Sequence, residues 1–161
     1  DVTPEDVHRT GLAEVARIRS EMDAVIRQTG FTGDYAAFLQ FLRTDARFRP
    51  TSGDALMREA AYIAKRMDGA LPQLFSKLPR LPYGIRPVPA DLAPKFTAGR
   101  YVESASDGSR AGFYWVNTYR PETRTLYTLE ALTLHEAVPG HHLQIALQRE
   151  QVDLPQFRTV L

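Results

Sequence analysis

The stretch "LTLHEAVPGHHLQ", from Leu132 to Gln144, combines the start of a zinc-binding pattern with a proline and a glycine inside an apolar helical run. His135 and Glu136 match the opening of HExxH, in which two histidines one turn apart bind zinc and the glutamate acts as general base. Three of the chain's four histidines fall within this stretch. Such clustering favours a metal site. The alternative is a set of ordinary helix histidines, of which one or two pack in the core.

The second histidine ligand is either His141 or His142, depending on how regular the helix is. On an unbroken helix with about 100° per residue, His142 returns almost to the azimuth of His135, whereas His141 lies roughly 120° away from it. We expect a distortion, because Pro139 has no N–H for the carbonyl of residue 135 and its ring crowds that carbonyl. If Pro139 and Gly140 form a two-residue bulge, the helix resets and His141 takes the second ligand position. Gly140 permits the close backbone approach that such a bulge needs.

Composition and charge exclude several classes of function. The 161 residues hold 20 Lys and Arg against 19 Asp and Glu, a formal net charge of +1, so no field of one sign invites nucleic acid or an anionic membrane. The absence of cysteine leaves histidine and carboxylate as the possible metal ligands. No apolar stretch approaches the roughly 20 residues of a membrane span, and no signal pattern opens the chain. We therefore expect a soluble protein of the cytoplasm or periplasm.

Helical periodicity predicts three helices within residues 1–78. Thr3 is the expected N-cap of the first helix, with Pro4 at its first position, and Gly30 stops it. The third helix is expected to break near Asp68–Pro72, because the proline interrupts its apolar stripe.

Proline, glycine and aromatic residues divide the rest of the chain. The sequence predicts a proline-rich connector over 79–98, an antiparallel β-hairpin over 99–120 and a metal-motif helix over 125–150. We expect Leu129–Arg149 to form one helical element distorted around Val138–Gly140. The fold class is thus mainly α with a small antiparallel β-hairpin, in one partial domain spanning 1–161. Both ends look truncated, since the chain starts at Asp1 rather than Met and closes on apolar residues without a helix stop.

At "HEAVPGHHLQ" the sequence resembles a bacterial family known as domain of unknown function 885, which is grouped with the gluzincin-type zinc metallopeptidases through an HExxPGHH signature. Three further segments are similar to that family's segments in their usual order: "GLAEVARIRSEM", "LPRLPYGIRPVP" and "GFYWVNTYRP". The resemblance covers essentially the whole chain. It implies a fragment of a larger, largely helical zinc-metallopeptidase-like fold, with zinc on the HExxPGHH helix.

The resemblance assigns roles to the residues of the motif. His135 and His141 would bind zinc, and Glu136 would act as the base. His142 would contact the ligand residues without binding zinc, or would face the substrate. Its azimuth on a regular helix still allows it to be a ligand. The family's third ligand would be a glutamate on a later helix, in a stretch like "EGWALY", and this chain contains no such stretch.

The acids downstream of the motif do not replace that glutamate. Glu150 and Asp153 are too near the motif in sequence to lie on a separate helix packed over the site. With two protein ligands and water, this fragment is expected to bind zinc weakly or not at all and to be inactive alone. The remainder of the parent chain would then complete the site.

The segment "GFYWVNTY" is the candidate substrate-binding strand. Gluzincin-type enzymes resemble one another in laying an extended substrate along an edge strand near the metal helix, where backbone hydrogen bonds hold it. Asn117, Tyr119 and Arg120 are the candidate substrate contacts at the end of this strand. The aromatic residues of the strand fit the core face of a hairpin equally well.

These features predict a zinc-dependent hydrolase, specifically a metallopeptidase acting on peptides, in which Glu136 activates a zinc-bound water. A non-peptide amide or ester would be hydrolysed by the same residues. The alternative from a different class is a non-catalytic helical domain that retains the histidines as a structural or metal-binding feature. Neither hypothesis involves nucleic acid or a membrane span. By the resemblance, the compartment is the bacterial cytoplasm or periplasm.

Overall fold

The computed structural model describes residues 1–105, 107–152 and 154–158. The chain forms two compact units, Asp1–Ala46 and Arg47–Leu161. That both belong to one partial domain stays a prediction. Within the long first helix only Ile26 is buried, so little of that helix contributes to a core.

The first unit consists of two capped helices, α1 (Pro4–Gln28) and α2 (Tyr35–Thr44). The predicted start of α1 is confirmed, because the Thr3 hydroxyl accepts the Asp6 amide proton and the Asp6 carboxylate accepts the Thr3 amide proton. Gly30 follows the end of α1 with a φ of 76°, a left-handed conformation that glycine adopts without steric cost. Phe31 then packs edge-on against Phe38 of α2, with ring centroids 5.2 Å apart.

The surface of α1 carries ion pairs along the helix. Arg17 bridges Glu14 and Glu21, at 2.7 and 2.6 Å, one turn away on either side. These charged side chains are exposed and form a solvated face of the helix. Among the described residues, no helix combines the length and apolar character that crossing a bilayer requires.

The second unit packs helices against a mixed three-stranded sheet. Its elements in chain order are α3 (Gly53–Leu74), β1 (Tyr83–Pro87), β2 (Gly99–Val102), β3 (Gly112–Val116), α4 (Leu129–Glu136) and α5 (His141–Arg149), joined by loops and short 3₁₀ turns. The strand order is β1-β3-β2, with β3 parallel to β1 and antiparallel to β2. The predicted fold class is confirmed, and in the hairpin Tyr101 lies opposite Tyr114.

The proline-rich segment 79–98 contributes a strand that the sequence did not predict. Within this segment, Tyr83–Pro87 pairs with β3 along its whole length. A proline cannot donate to a ladder, so a strand that contains one needs an edge position. β1 has that position, and the predicted connector therefore also forms one edge of the sheet.

The predicted break in the third helix is wrong. α3 begins at the Ser52 cap, whose hydroxyl accepts the Ala55 amide proton at 3.0 Å, and it continues through Pro72 to Leu74. Pro72 lies in the last turn, where it removes one backbone bond near a helix end. The buried side chain of Leu71 holds this turn against the core.

Two apolar clusters hold the second unit together. The larger cluster comprises the buried residues Leu56, Ala60, Ile63, Tyr114, Val116, Leu129 and Ala137. The smaller cluster comprises Leu71, Val138 and Leu143. Ala137 and Val138 lie between α4 and α5, so the junction of these two helices is fixed by both clusters.

Candidate metal centre

The end of α4 and the start of α5 bring three possible ligand residues together. His135 and Glu136 close α4, and His141 opens α5. One ligand atom from each lies within 4.8 Å of the other two, and the two imidazole rings stand nearly perpendicular with centroids 4.7 Å apart. Two imidazole nitrogens on one zinc ion are about 3.3 Å apart, since each bond is about 2.0–2.1 Å long. Small side-chain rotations would therefore fit both rings to a zinc ion.

A two-residue insertion between the helices produces this arrangement. The Gly140 amide donates to the Leu134 carbonyl at 2.9 Å, six residues back instead of the usual four. The helix restarts so that His141 has the place of the fourth residue after His135 in a regular helix. A Cβ on Gly140 would overlap the His135 carbonyl oxygen, so this position needs glycine. The predicted distortion around Val138–Gly140 is confirmed, and it divides the run into two helices.

Glu136 is held by the backbone of β2. Its side chain is buried, and Oε2 accepts the Tyr101 amide proton at 2.8 Å. This bond orients the carboxylate and leaves Oε1 for a further partner. The neighbouring phenol of Tyr114 is affected by this carboxylate. Burial and, to a smaller extent, the charge of Glu136 raise the pKa of Tyr114 to about 12, so this phenol stays neutral.

His142 lies apart from the ligand cluster, inside the protein. It is 2% exposed, its Nδ1 is 2.9 Å from the Tyr101 hydroxyl oxygen, and the Tyr83 ring packs against it with centroids 4.7 Å apart. Burial lowers the pKa of His142, against the opposing effects of Asp68 and of a hydrogen bond to the Leu81 backbone. Of the two adjacent histidines, the structure brings the first into the ligand cluster and buries the second.

The ligand cluster opens into a cleft of about 980 Å³. Residues 95–101, which are the loop before β2 and most of β2 itself, line it together with Leu132 and Ile145 of the metal-motif helices. A space of this size holds several residues of an extended peptide or one small molecule.

The cleft runs beside β2, an edge strand of the sheet. β2 pairs with β3 on one side, and the Ala98 carbonyl just before it accepts the Asn117 amide proton at 2.9 Å. Because successive residues of a strand alternate in direction, the backbone groups of Gly99 and Tyr101 face away from β3. The bond from the Tyr101 amide to Glu136 agrees with this alternation.

Comparison with known proteins gives the chain its family. The model of the family described as "Bacterial protein of unknown function (DUF885)" matches residues 1–161. The chain belongs to the DUF885 family. A solved structure titled "The crystal structure of the putative lipoprotein from Colwellia psychrerythraea" is similar to it, with a TM-score of 0.86 and 29% sequence identity over 99% of this chain. This DUF885 chain spans 28% of the length of that protein. None of the curated proteins matches it.

The strand predicted to lie at the edge of the sheet lies in its centre. In this DUF885 chain "GFYWVNTY" forms β3, which is paired on both sides by β1 and β2 and has no free edge. The edge strand beside the cluster is β2, Gly99–Val102. Sequence alone did not distinguish them, because the order of strands depends on the pairing of β1.

The three predicted substrate contacts do not line the cleft. Asn117 is fully buried, and its amide nitrogen lies 2.9–3.1 Å from the carbonyl oxygens of Ala93, Phe96 and Thr97. It anchors the loop that leads into β2, and so shapes the cleft wall from behind. Tyr119 is exposed and donates its amide proton to the Asn117 side chain.

Arg120 forms an ion pair with Glu122 and has a φ of 51° at the turn after β3. Its guanidinium Nε lies 3.3 Å from the Glu122 carboxylate, and both side chains are exposed. Arg120 therefore lies in the turn that follows β3. Its role in substrate binding stays a prediction.

Sequence reasoning missed Tyr101, which contacts both Glu136 and His142. Its one signal was its place in an aromatic and β-branched stretch opposite "GFYWV", which also predicts an ordinary core tyrosine. The downstream acid Glu150 accepts the Arg80 amide proton at 2.6 Å and lies outside the ligand cluster. Asp153 lies outside the described residues.

Proposed function

We propose that this chain carries the zinc-binding and water-activating part of a zinc-dependent hydrolase, specifically a metallopeptidase. The observation that supports the proposal is the convergence of His135, Glu136 and His141 at one cleft, despite the two residues inserted into their motif. In ordinary helices the same three residues would point in different directions. The insertion restores the spacing on which zinc peptidase chemistry depends.

In the proposed site each residue has a separate task. His135 and His141 would hold zinc through one imidazole nitrogen each. Zinc, when bound, supplies Lewis acidity that polarises a carbonyl and lowers the pKa of a water. Glu136, fixed through Oε2, would accept a proton from that water at Oε1 and pass it to the leaving amine. An extended peptide would lie along β2 and bond the outward-facing Gly99 amide and Tyr101 carbonyl, since the Gly99 carbonyl accepts from the Thr97 hydroxyl and the Tyr101 amide donates to Glu136.

The proposed site needs one more protein ligand, because a catalytic zinc normally has three and a water. In the described part of the chain, the cluster contains no His, Asp or Glu beyond the three already named. We propose that the remainder of the parent protein provides this ligand. The 161-residue chain alone should then bind zinc more weakly than about micromolar.

The proposal is tested with the complete protein and Glu136→Gln. The amide cannot accept the proton, so kcat for peptide hydrolysis should fall by about 10³-fold or more, while metal analysis should still find zinc. Glu150→Gln is the matched control, since it makes the same change outside the cluster and should keep the unmodified kcat. Peptide, amide and ester libraries identify the substrate class.

Two results would reject the proposal. Full turnover by the Glu136→Gln protein would remove the residue from catalysis. Zinc bound without hydrolysis of any peptide, amide or ester would favour the alternative of a non-catalytic metal-binding domain.

A further inference from the structure

We propose that His142 is a positioning residue that acts through Tyr101 on Glu136. The last histidine of HEAVPGHH would thus orient the glutamate that follows the first one. The catalytic part of this inference rests on the proposed function, whereas the chain of contacts does not. The chain of contacts has three steps. His142 is held in one orientation, it holds the side chain of Tyr101, and the backbone of Tyr101 orients Glu136.

The first step is that His142 has one orientation. Its ring is enclosed by Tyr83, at 4.7 Å between centroids, and by Tyr101, at 5.6 Å. Its Nδ1 lies 2.9 Å from the Tyr101 hydroxyl oxygen. Since a neutral phenol can donate its proton, we assign Nδ1 as the acceptor of the phenolic proton, which places the proton of the neutral ring on Nε2.

The second step is that the Tyr101 side chain depends on this acceptor. The hydroxyl reaches His142 Nδ1 at 2.9 Å inside the protein, where losing the bond would leave a polar atom unsatisfied. Gly112 on the neighbouring strand makes room for the ring, since a Cβ there would overlap the tyrosine hydroxyl. These two contacts restrict rotation of the Tyr101 side chain and so limit the movement of its backbone.

The third step is that the Tyr101 backbone orients Glu136. Its amide proton faces away from β3 and goes to Oε2 of the carboxylate at 2.8 Å. Side chain and amide of one tyrosine thus join the buried histidine to the proposed base. A displacement of a reacting group by about 1 Å can cost about 10²-fold in rate. The contacts that lead from His142 through Tyr101 to Glu136, called the brace below, therefore have a catalytic consequence.

Four variants of the complete protein separate this brace from simple core packing. Tyr101→Phe removes the hydroxyl. His142→Asn can place its carbonyl oxygen close to the Nδ1 position, so an acceptor survives there. His142→Gln places its amide group close to the Nε2 position and leaves no acceptor at the Nδ1 position. Glu136→Ala removes the acceptor of the Tyr101 amide and is the reference for a broken bond.

Hydrogen exchange of the residue 101 amide is a readout that needs no activity. This amide faces away from the sheet, so its protection reports its bond to Glu136. Tyr101→Phe and His142→Gln should lower its protection by about tenfold, toward the Glu136→Ala value, and His142→Asn should keep most of it. Amides of β3 serve as the internal reference for global opening. If His142→Gln unfolds the protein, Tyr101→Phe still gives the result, because it deletes a single oxygen atom.

Kinetics then test the catalytic part. Tyr101→Phe and His142→Gln should each lower kcat by about 10- to 100-fold with little change in KM and in bound zinc, and combining them should cost no more than either alone. Unchanged protection at residue 101 in Tyr101→Phe, or equal losses in His142→Asn and His142→Gln, would overturn the inference. An additive double variant would also overturn it. An inactive unmodified protein would instead reject the proposed function, and the exchange data would still decide the brace.

Discussion

Pro72 and Pro139 both lie near the C-terminal end of an α-helix, but the backbone differs around them. Pro72 lies inside α3, which continues to Leu74, whereas Pro139 lies between α4 and α5 and joins Val138 through a cis peptide bond. Each proline directly follows a residue of the same small apolar cluster, Leu71 in one case and Val138 in the other. Burial of the preceding residue therefore does not explain the difference.

The difference follows from what comes after each proline. Pro72 is followed by two more helical residues and then by Phe75, whose amide donates to the Leu71 carbonyl at 2.9 Å and closes the helix. Pro139 is followed by Gly140, which lets the backbone approach the preceding helix end closely enough to insert two residues. A proline near a helix end removes one bond, whereas a proline with a glycine beside it can change the register of the helix.

The largest expected effect is that of Gly140→Ala. The added Cβ would overlap the His135 carbonyl, so the free energy of unfolding should fall by about 3 kcal/mol or more and zinc binding should be lost. Gly69→Ala is the matched control in the helix of Pro72, where a Cβ meets nothing within 4 Å. It should raise the free energy of unfolding by about 0.5–1 kcal/mol. Urea unfolding measures both, and similar values would show that the junction tolerates a side chain.

Deletions test the register argument directly. Removing Pro139 and Gly140 together leaves "HEAVHH", in which His141 becomes the fourth residue after His135 in an unbroken helix. The complete protein should then keep its zinc affinity within about tenfold. Removing Pro139 alone turns His141 by about 100° and should weaken zinc binding by at least about 100-fold. Competition titration with a zinc chelator compares the two deletions, and equal affinities would contradict the two-residue insertion.

The smallest effect is expected for Pro72→Ala. The new amide could donate to the Asp68 carbonyl, but this bond lies in the last turn of α3, where helix ends contribute little. The free energy of unfolding should rise by no more than about 1 kcal/mol, compared with the roughly 3 kcal/mol that a proline costs in a helix interior. Thermal or urea unfolding gives this value. A gain of the full amount would mean that Pro72 strains the helix and that the two prolines are more alike than the structure indicates.

Local features of this chain were predictable because their physics is local. The cap of α1 needs only Thr3 and the residues that directly follow it. The distortion near Pro139 follows from one missing amide and one glycine, both visible in the sequence. Pro72 was misjudged by the same rule, because the sequence does not show how close a proline lies to the helix end that packing selects.

Features that depend on distant partners were not predictable. β1 pairs with β3 across more than twenty residues, and this pairing makes β2, rather than β3, the edge strand beside the cleft. In the sequence, the side-chain amide of Asn117 is a polar group available to a substrate. In the structure it donates to the loop carbonyls of Ala93, Phe96 and Thr97.

The sequence by itself determined the helical character of the chain, the hairpin and the stretch that holds the candidate metal ligands, because periodicity, turn chemistry and ligand spacing act over one or two helical turns. It favoured His141 as the second ligand, through the expected bulge and the family resemblance, and left His142 open as an alternative. Only the tertiary structure shows where the two side chains lie: His142 is buried against Tyr83 and Tyr101, and His141 lines the cleft. The physical reason is that burial and strand order are properties of packed surfaces, which residues far apart in sequence create together.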